Sequence, residues 1–189
     1  MKLLIASDLH GSAYYTELLL RRLEEERARR LVLLGDLLYH GPRNDLPREY
    51  DPKRVIALLN PLAPRILAVR GNCDCEVDQM VLRFPILADY AVLLLDGRAV
   101  YLTHGHTINK TSPLAFQAGD ILLHGHTHVP ACEDCGGWLY LNPGSVSIPK
   151  DGAPRGYMTW EDGAFFWKEL ESGETLRSFC PGPLSGAER

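Results

Sequence analysis

Short apolar runs recur along the chain, and each breaks off at a small or polar residue followed by a group able to bind metal. Leu3-Leu4-Ile5-Ala6 ends in Ser7-Asp8-Leu9-His10-Gly11, and Leu31 to Leu34 ends in Gly35-Asp36. Arg65 to Val69 ends in Arg70-Gly71-Asn72-Cys73-Asp74. Runs this short and continuous predict buried strands. Between the first two, Tyr14 to Arg30 predicts an amphipathic helix. Leu18, Leu19, Leu20 and Leu23 form its apolar face, and arginines mixed with glutamates form a solvated one. Asp51 to Leu59 predicts a second helix with Asp51 as N-cap and Pro52 at its first position. Asp74 is placed to cap a short helix running through Met80 and Leu82.

The second half reads mostly as sheet. Tyr90 to Leu95, Asp96-Gly97 and Arg98 to Thr103 spell a hairpin, which ends in His104-Gly105-His106. Thr111 to Ala118 is assigned a helix. Asp120 to Leu123 is another strand, ending in His124-Gly125-His126-Thr127-His128. Beyond it Trp138 to Leu141, Tyr157 to Trp160, Phe165 to Leu170 and Thr175 to Phe179 read as strands. Turns at Asn142-Pro143-Gly144, Asp162-Gly163 and Ser172-Gly173 separate them. The length of 189 residues favours one domain over residues 1–180, with a loose Pro/Gly/Ser-rich tail at 181–189.

Composition narrows the function classes. A formal net charge of −4 gives no reason to expect nucleic acid or an anionic membrane as partner. No apolar run approaches the ~20 residues of a membrane span, and the N-terminal run is too short for a signal peptide. The expected address is therefore the cytosol. Five cysteines cannot all pair. Cys132-x-x-Cys135 lacks a redox context and reads as a tight turn with incidental thiols. The spacing of Cys73, Cys75, Cys132 and Cys135 does not encourage a zinc site.

The chemistry lies at the strand ends. In α/β sheets ligands bind at the carboxyl edge. Asp8, His10, Asp36, Asn72, His104, His126 and His128 all fall there and are all oxygen or imidazole donors. If the backbone stays extended, Asp8 and His10 point to one side. Such a set suits Mn, Fe, Zn or Ni, and it is too large for one tetrahedral ion. Two ions roughly 3.5–4 Å apart use it fully, with Asp36 the natural bridging carboxylate. A water bridging the pair has its pKa lowered to about 7, which provides hydroxide for in-line attack at phosphorus. Phosphoester hydrolysis is the reaction these residues support best. His40, Arg43 and Asn44, in a loop rich in turn formers, are polar groups able to face the ligand. Asn142 and Ser145 are better explained by a turn, and His124 by packing beneath the site.

The ordered set Asp8-x-His10, Gly35-Asp36, Gly71-Asn72, His104-Gly105-His106 and Gly125-His126-Thr127-His128 resembles the calcineurin-like metallophosphoesterase superfamily. The longer strings His40-Gly41-Pro42-Arg43-Asn44, Asn72-Cys73-Asp74 with Glu76-Val77-Asp78-Gln79-Met80, and Asn142 to Pro149 are similar to its small bacterial YfcE-type phosphodiesterases. The resemblance spans about residues 1 to 170. It implies an α/β fold: a four-layer αββα sandwich of two mixed β-sheets, the metallo-dependent phosphatase fold. It also implies that Asp8, His10, Asp36 and His128 hold one metal and Asp36, Asn72, His104 and His126 a second. Mn²⁺ is the favoured ion, with Zn²⁺, Fe²⁺ and Ni²⁺ as alternatives, and a small phosphodiester is the substrate.

One position departs from the wider superfamily. Where many members carry a histidine after the motif asparagine, thought to protonate the leaving group, this chain has Cys73. A thiol with a pKa near 8.5 copies imidazole poorly. His106, Asp74 and His40 are the other candidates for the acid, in that order. A weak acid favours diesters with good leaving groups. Two other readings use the same fold: a catalytically silent scaffold binding a protein partner, and a phosphomonoesterase. The complete ligand set argues against the scaffold. Whether the chain forms a homo-oligomer stays open at this level.

Overall fold

The computed structural model describes residues 1–182, so the expectation for the tail at 183–189 lies outside the described residues. Among the described residues, eleven strands form two mixed sheets. The first has six strands in the order β11-β10-β9-β1-β2-β3. These are β1 (Leu3–Ala6), β2 (Arg30–Leu33), β3 (Ile66–Ala68), β9 (Gly156–Glu161), β10 (Ala164–Glu169) and β11 (Thr175–Phe179). The second has five strands in the order β4-β5-β6-β8-β7. These are β4 (Tyr90–Leu95), β5 (Arg98–Thr103), β6 (Ile121–His124), β7 (Ala131–Asp134) and β8 (Leu139–Asn142). Parallel pairing runs through β1-β2-β3 in one sheet and through β5-β6-β8 in the other.

Side-chain alternation explains how the sheets stack. Leu4, Leu31 and Ile66 are in register on one face of the first sheet and pack under α1 (Ala13–Glu25) and α2 (Pro52–Leu59). Leu3, Ile5 and Val32 face the other way. They meet Val100, Leu102, Ile121, Leu123 and Leu141 of the second sheet in a continuous apolar layer. A strand of period two buried on both faces has no polar position, which is why these runs read as unbroken apolar stretches.

The helices differ from the sequence expectation in three places. α1 stops at Glu25, because Arg27 turns left-handed at φ 51° and the Ala28 N–H closes back on the Leu23 carbonyl. Arg30 is then already in β2, and no glycine or proline marks the stop. The helix expected at Thr111 to Ala118 does not form. Asn109 Oδ1 captures the N–H groups of Thr111 and Ser112, an alternative to helical bonding that Asx side chains offer. That segment instead covers the outer face of the second sheet as coil, with Phe116 against Tyr101 and Trp138. α3 (Glu76–Val81) is capped by Cys75 and Asp78, so Asp74 is free for another task. The α2 cap is as expected, with Asp51 accepting from the Arg54 N–H. Cys132 lies in strand β7, and the tight turn falls just after it, where the Cys135 N–H bonds the Trp138 carbonyl.

Candidate metal centre

Five of the six parallel strands among the described residues carry the candidate ligands just past their carboxyl ends. β1 gives Asp8 and His10, β2 gives Asp36, β3 gives Asn72, β5 gives His104, and β6 gives His126 and His128. The extended backbone expected at Asp8 and His10 is not observed. Both are left-handed, at φ 61° and 47°, and so are Asp36, His126 and His128. Five of the ten non-glycine residues with positive φ among those described are therefore in this set. Each such residue costs of order 1–2 kcal/mol. Backbone hydrogen bonds hold them there: the N–H groups of Asp8, His10 and Gly11 donate to the carbonyls of Gly35, Asp36 and Leu37. The chain ends of β1 and β2 are thus zipped together beyond the sheet.

The neighbouring loops are tied in turn. Asp74 accepts the N–H groups of Asp36 and Gly71 with one oxygen, both at 2.8 Å, and that of Leu37 with the other at 2.9 Å. The His126 N–H donates to Asp8 Oδ2, which links the two sheets. Ser145 and Ser147 hydroxyls both donate to the Asp8 carbonyl, and Asn142 Nδ2 donates to the Gly125 carbonyl. Asn142 and Ser145 therefore back the site rather than face it. Ser147, Ser7 and Tyr140 do not stand out in the sequence; the Ser145-x-Ser147 repeat beside a turn is the available signal. The motif glycines permit this closeness. A Cβ on Gly71 would lie 2.1 Å from Asp36 Oδ1, and one on Gly125 would lie 1.8 Å from Ser7 Oγ.

The histidines are aimed by their far nitrogens. Nδ1 of His10, His104 and His128 each faces a backbone carbonyl, those of Tyr39, Leu34 and Ile148. A carbonyl only accepts, so each Nδ1 carries hydrogen and each ring turns its Nε2 inward, as a lone pair wherever the ring is neutral. The Nε2 atoms of His10 and His128 are 3.2 Å apart, with Asp8 Oδ1 at 3.6 and 3.3 Å from them. Asp8 Oδ1 is buried without a hydrogen-bond partner. Two imidazole lone pairs and an orphaned carboxylate oxygen converge with no proton between them, a donor arrangement that fits a divalent cation. A second group lies beside it. His104 Nε2 is 3.0 Å from Asn72 Oδ1, 3.2 Å from His126 Nδ1 and 3.4 Å from Asp36 Oδ2. Asp36 Oδ2 is also 3.7 Å from His10 Nε2, so this carboxylate stands between the two groups.

Electrostatics agree with the geometry. Burial works to raise the Asp8 carboxyl, but the adjacent imidazoles of His128, His104 and His10 hold it below the usual range. Burial depresses His104, yet Asp36 and Asp8 outweigh it and push the imidazole up to about 9. His104 thus carries a proton that offsets the two carboxylates, a proton that metal binding displaces. Burial pushes His124 down to about 4; its neutral ring stacks on Tyr140 beneath the site, as expected for a packing residue.

The four expected proton donors separate. Cys73 Sγ sits in the cleft, within 4.8 Å of the facing atoms of His10 and Asp36, and burial and Asp36 raise its pKa far above that of an ordinary thiol. His106 is exposed on the rim, its ring 5.4 Å from that of His104. Asp74 lies behind the site, 2% exposed and committed to three backbone donors. His40 is held edge-on between Tyr39 and Tyr50 and does not line the cleft. The cleft over the centre has a volume of about 370 Å³. Arg43, Asn44 and Lys150 extend its lining beyond the ligand set.

Residues 1–162 match the calcineurin-like phosphoesterase superfamily domain. The chain is 50% identical over 157 residues to phosphodiesterase YfcE of Escherichia coli, covering 83% of this chain and 85% of that one. It is 29% identical to the probable metallophosphoesterase YsnB of Bacillus subtilis, over 79% and 78% of the two chains. A solved structure of the E. coli YfcE phosphoesterase superposes with a TM-score of 0.93 at 43% identity, covering 96% of this chain and all of that one. Vps29 of Entamoeba histolytica, at 22% identity and a TM-score of 0.60 over 95% and 97% of the two chains, shares the fold. Five ligand-bearing strand ends in family order, on the family's sandwich, place this chain in the calcineurin-like phosphoesterase superfamily.

Proposed function

We propose that the protein is a metal-dependent phosphodiesterase with two divalent cations, Mn²⁺ foremost, held on either side of Asp36. The observation that carries this reading is the pair of converging nitrogen and oxygen donor groups that meet at that carboxylate. Asp8, His10 and His128 lie on one side; Asn72, His104 and His126 lie on the other. Two dications in contact need a shared anion, and Asp36 Oδ2 is within 3.7 Å of both histidine sets. Bound there, the cations supply Lewis acidity toward phosphoryl oxygens and a nucleophilic water at neutral pH.

Orientation and proton supply fall to the chain's own residues. The Asn72 carboxamide presents its oxygen to His104 and its Nδ2 to Cys73, at 3.0 and 3.2 Å, so its orientation is fixed. The protonating group for the leaving oxygen comes from the cleft wall or rim, where Cys73 and His106 lie. Cys73 is a weak acid by nature, so the reaction favours leaving groups that need little protonation. The identity to a phosphodiesterase supports the diester preference. The five unpaired cysteines support a reducing compartment, the cytosol.

The test is hydrolysis of an activated aryl phosphodiester by chelator-stripped protein, titrated with Mn²⁺, beside an Asp36→Asn variant. Activity should return with metal and be lost in the variant. Folded protein inactive with Mn²⁺, Zn²⁺, Fe²⁺ and Ni²⁺ alike would overturn the reading in favour of a binding scaffold.

A further inference from the structure

Beyond the ligand set, the side chains lining the cleft are few. Pro42, Arg43 and Asn44 come from the loop after β2, Cys73 from the loop after β3, and Lys150 from the loop after β8. Their chemistry is lopsided. Among the described residues no carboxylate other than Asp36 lines the cleft, and no aromatic side chain except the histidines does. Such a wall does not stack a nucleobase, which needs aromatic platforms. Nor does it hold a quaternary ammonium group, which needs an aromatic cage or an anion.

What the wall offers instead is uncompensated positive charge. Arg43 and Lys150 are both exposed, and among the described residues neither forms an ion pair. Asp45 and Asp151, the acids nearest in sequence, do not line the cleft. Asn44 is uncharged, and one hydrogen of its Nδ2 is donated to the His40 carbonyl at 2.8 Å. Gly41, left-handed at φ 79°, packs so closely that a Cβ there would be 3.3 Å from Cys73 Sγ. That contact sets the Arg43 loop directly against the reaction centre.

We infer that the substrate is a small diester whose non-leaving arm carries an anionic group, a carboxylate or phosphate, received between Arg43 and Lys150 beside the metal centre. This rests on the phosphodiesterase reading and names the class of substrate it acts on. The scissile phosphate is provided for by the centre itself, which leaves these two cations for a second negative charge. Guanidinium and ammonium groups from two separate loops fix such an anion from two sides.

The experiment uses Mn²⁺-loaded protein and three 4-nitrophenyl diesters that differ only in the second arm: ethyl, 2-(trimethylammonio)ethyl and 2-carboxyethyl. Hydrolysis of the ethyl ester reports diesterase activity by itself. The inference concerns only the ratio between arms. The carboxylated arm should raise kcat/KM about tenfold over ethyl, mostly through KM, and the cationic arm should lower it. The preference should shrink with added salt. The double variant Arg43→Ala/Lys150→Ala should collapse the ratio toward one. Calorimetric binding of the matched ethyl methyl and carboxyethyl methyl phosphates reads the same ratio without turnover, so an inactive protein still gives an answer. Equal kcat/KM and equal Kd across the arms would overturn the inference. So would a double variant that weakens all arms equally, which would assign the two cations to the scissile phosphate.

Discussion

The carboxylate of Asp74 accepts the backbone N–H of Asp36 at 2.8 Å, and the same oxygen accepts that of Gly71. It joins the chain ends of β2 and β3 where each supplies a ligand, Asp36 and Asn72. Burial pushes the Asp74 carboxyl up to about 6, although three backbone donors work against the rise. The residue acts on the metal centre by placement, because it touches no atom in the cleft.

An Asp74→Asn variant keeps the size but turns an NH₂ toward backbone donors. The two loops should drift apart, and, on the proposed two-cation reading, affinity for the cation held by Asn72 and His104 should fall 10- to 100-fold, the range for lost outer partners of ligands. Calorimetric Mn²⁺ titration of the folded variant is the check. Two unchanged affinities would reduce Asp74 to a folding role.

Gly71 tests closeness without backbone strain, since its φ is not in the left-handed region. A Cβ there would meet Asp36 Oδ1 at 2.1 Å and the Asp36 N at 2.3 Å. Gly71→Ala should cost about 1–3 kcal/mol of stability from overpacking. Catalysis should suffer more than stability: kcat/KM should drop about 100-fold, because a misplacement near 1 Å has that effect. Urea unfolding of metal-free protein and steady-state kinetics separate the two losses.

The meeting of the candidate ligands at one edge is legible in the sequence because each follows a continuous apolar run, and a run of that kind fixes where a buried strand ends. Asp36 and His104 need no further information. Asp74 reads wrongly as a helix cap because Asp followed by a helical pattern looks the same whether its carboxylate closes its own helix or reaches a different loop. The coil at 111–118 is hidden for a related reason: the capture of two N–H groups by Asn109 is a local competition that apolar periodicity does not register. The left-handed backbone at Asp8, His10, Asp36, His126 and His128 is also illegible, since aspartate and histidine tolerate that conformation but residue type does not say where it is adopted.

Cys73 stands where a histidine is common in the wider superfamily, with Sγ in the cleft beside His10 and Asp36. Cys73→His should supply a better proton donor for poor leaving groups. Across aryl diesters of rising leaving-group pKa, the decline in log kcat/KM should become shallower. The gain should be about tenfold for the poorest and near zero for 4-nitrophenyl. An unchanged slope would assign the proton to another group, with His106 the nearest alternative on the rim.

Far from the centre, Glu26 caps α1 and gathers partners from three strand ends. Lys2 lies at 2.5 Å, the Tyr157 hydroxyl donates at 3.1 Å, and Lys168 donates to the same carboxylate oxygen as Tyr157. Burial works to raise the Glu26 carboxyl, but Lys168 and Lys2 more than reverse it and set its pKa below the ordinary value. A depressed carboxyl contributes stability that is fully present above the unfolded pKa, about 4.3, and is lost as pH falls through the folded value. Glu26→Gln should therefore cost about 1–2 kcal/mol at pH 7, a range kept modest because the lysines are partly exposed. Urea midpoints of the metal-free wild type and variant should differ at pH 7 and draw together as pH falls below the unfolded value. A gap that stays constant across that window would mean that Glu26 holds α1 to the sheet by shape and hydrogen bonding, with its charge contributing nothing.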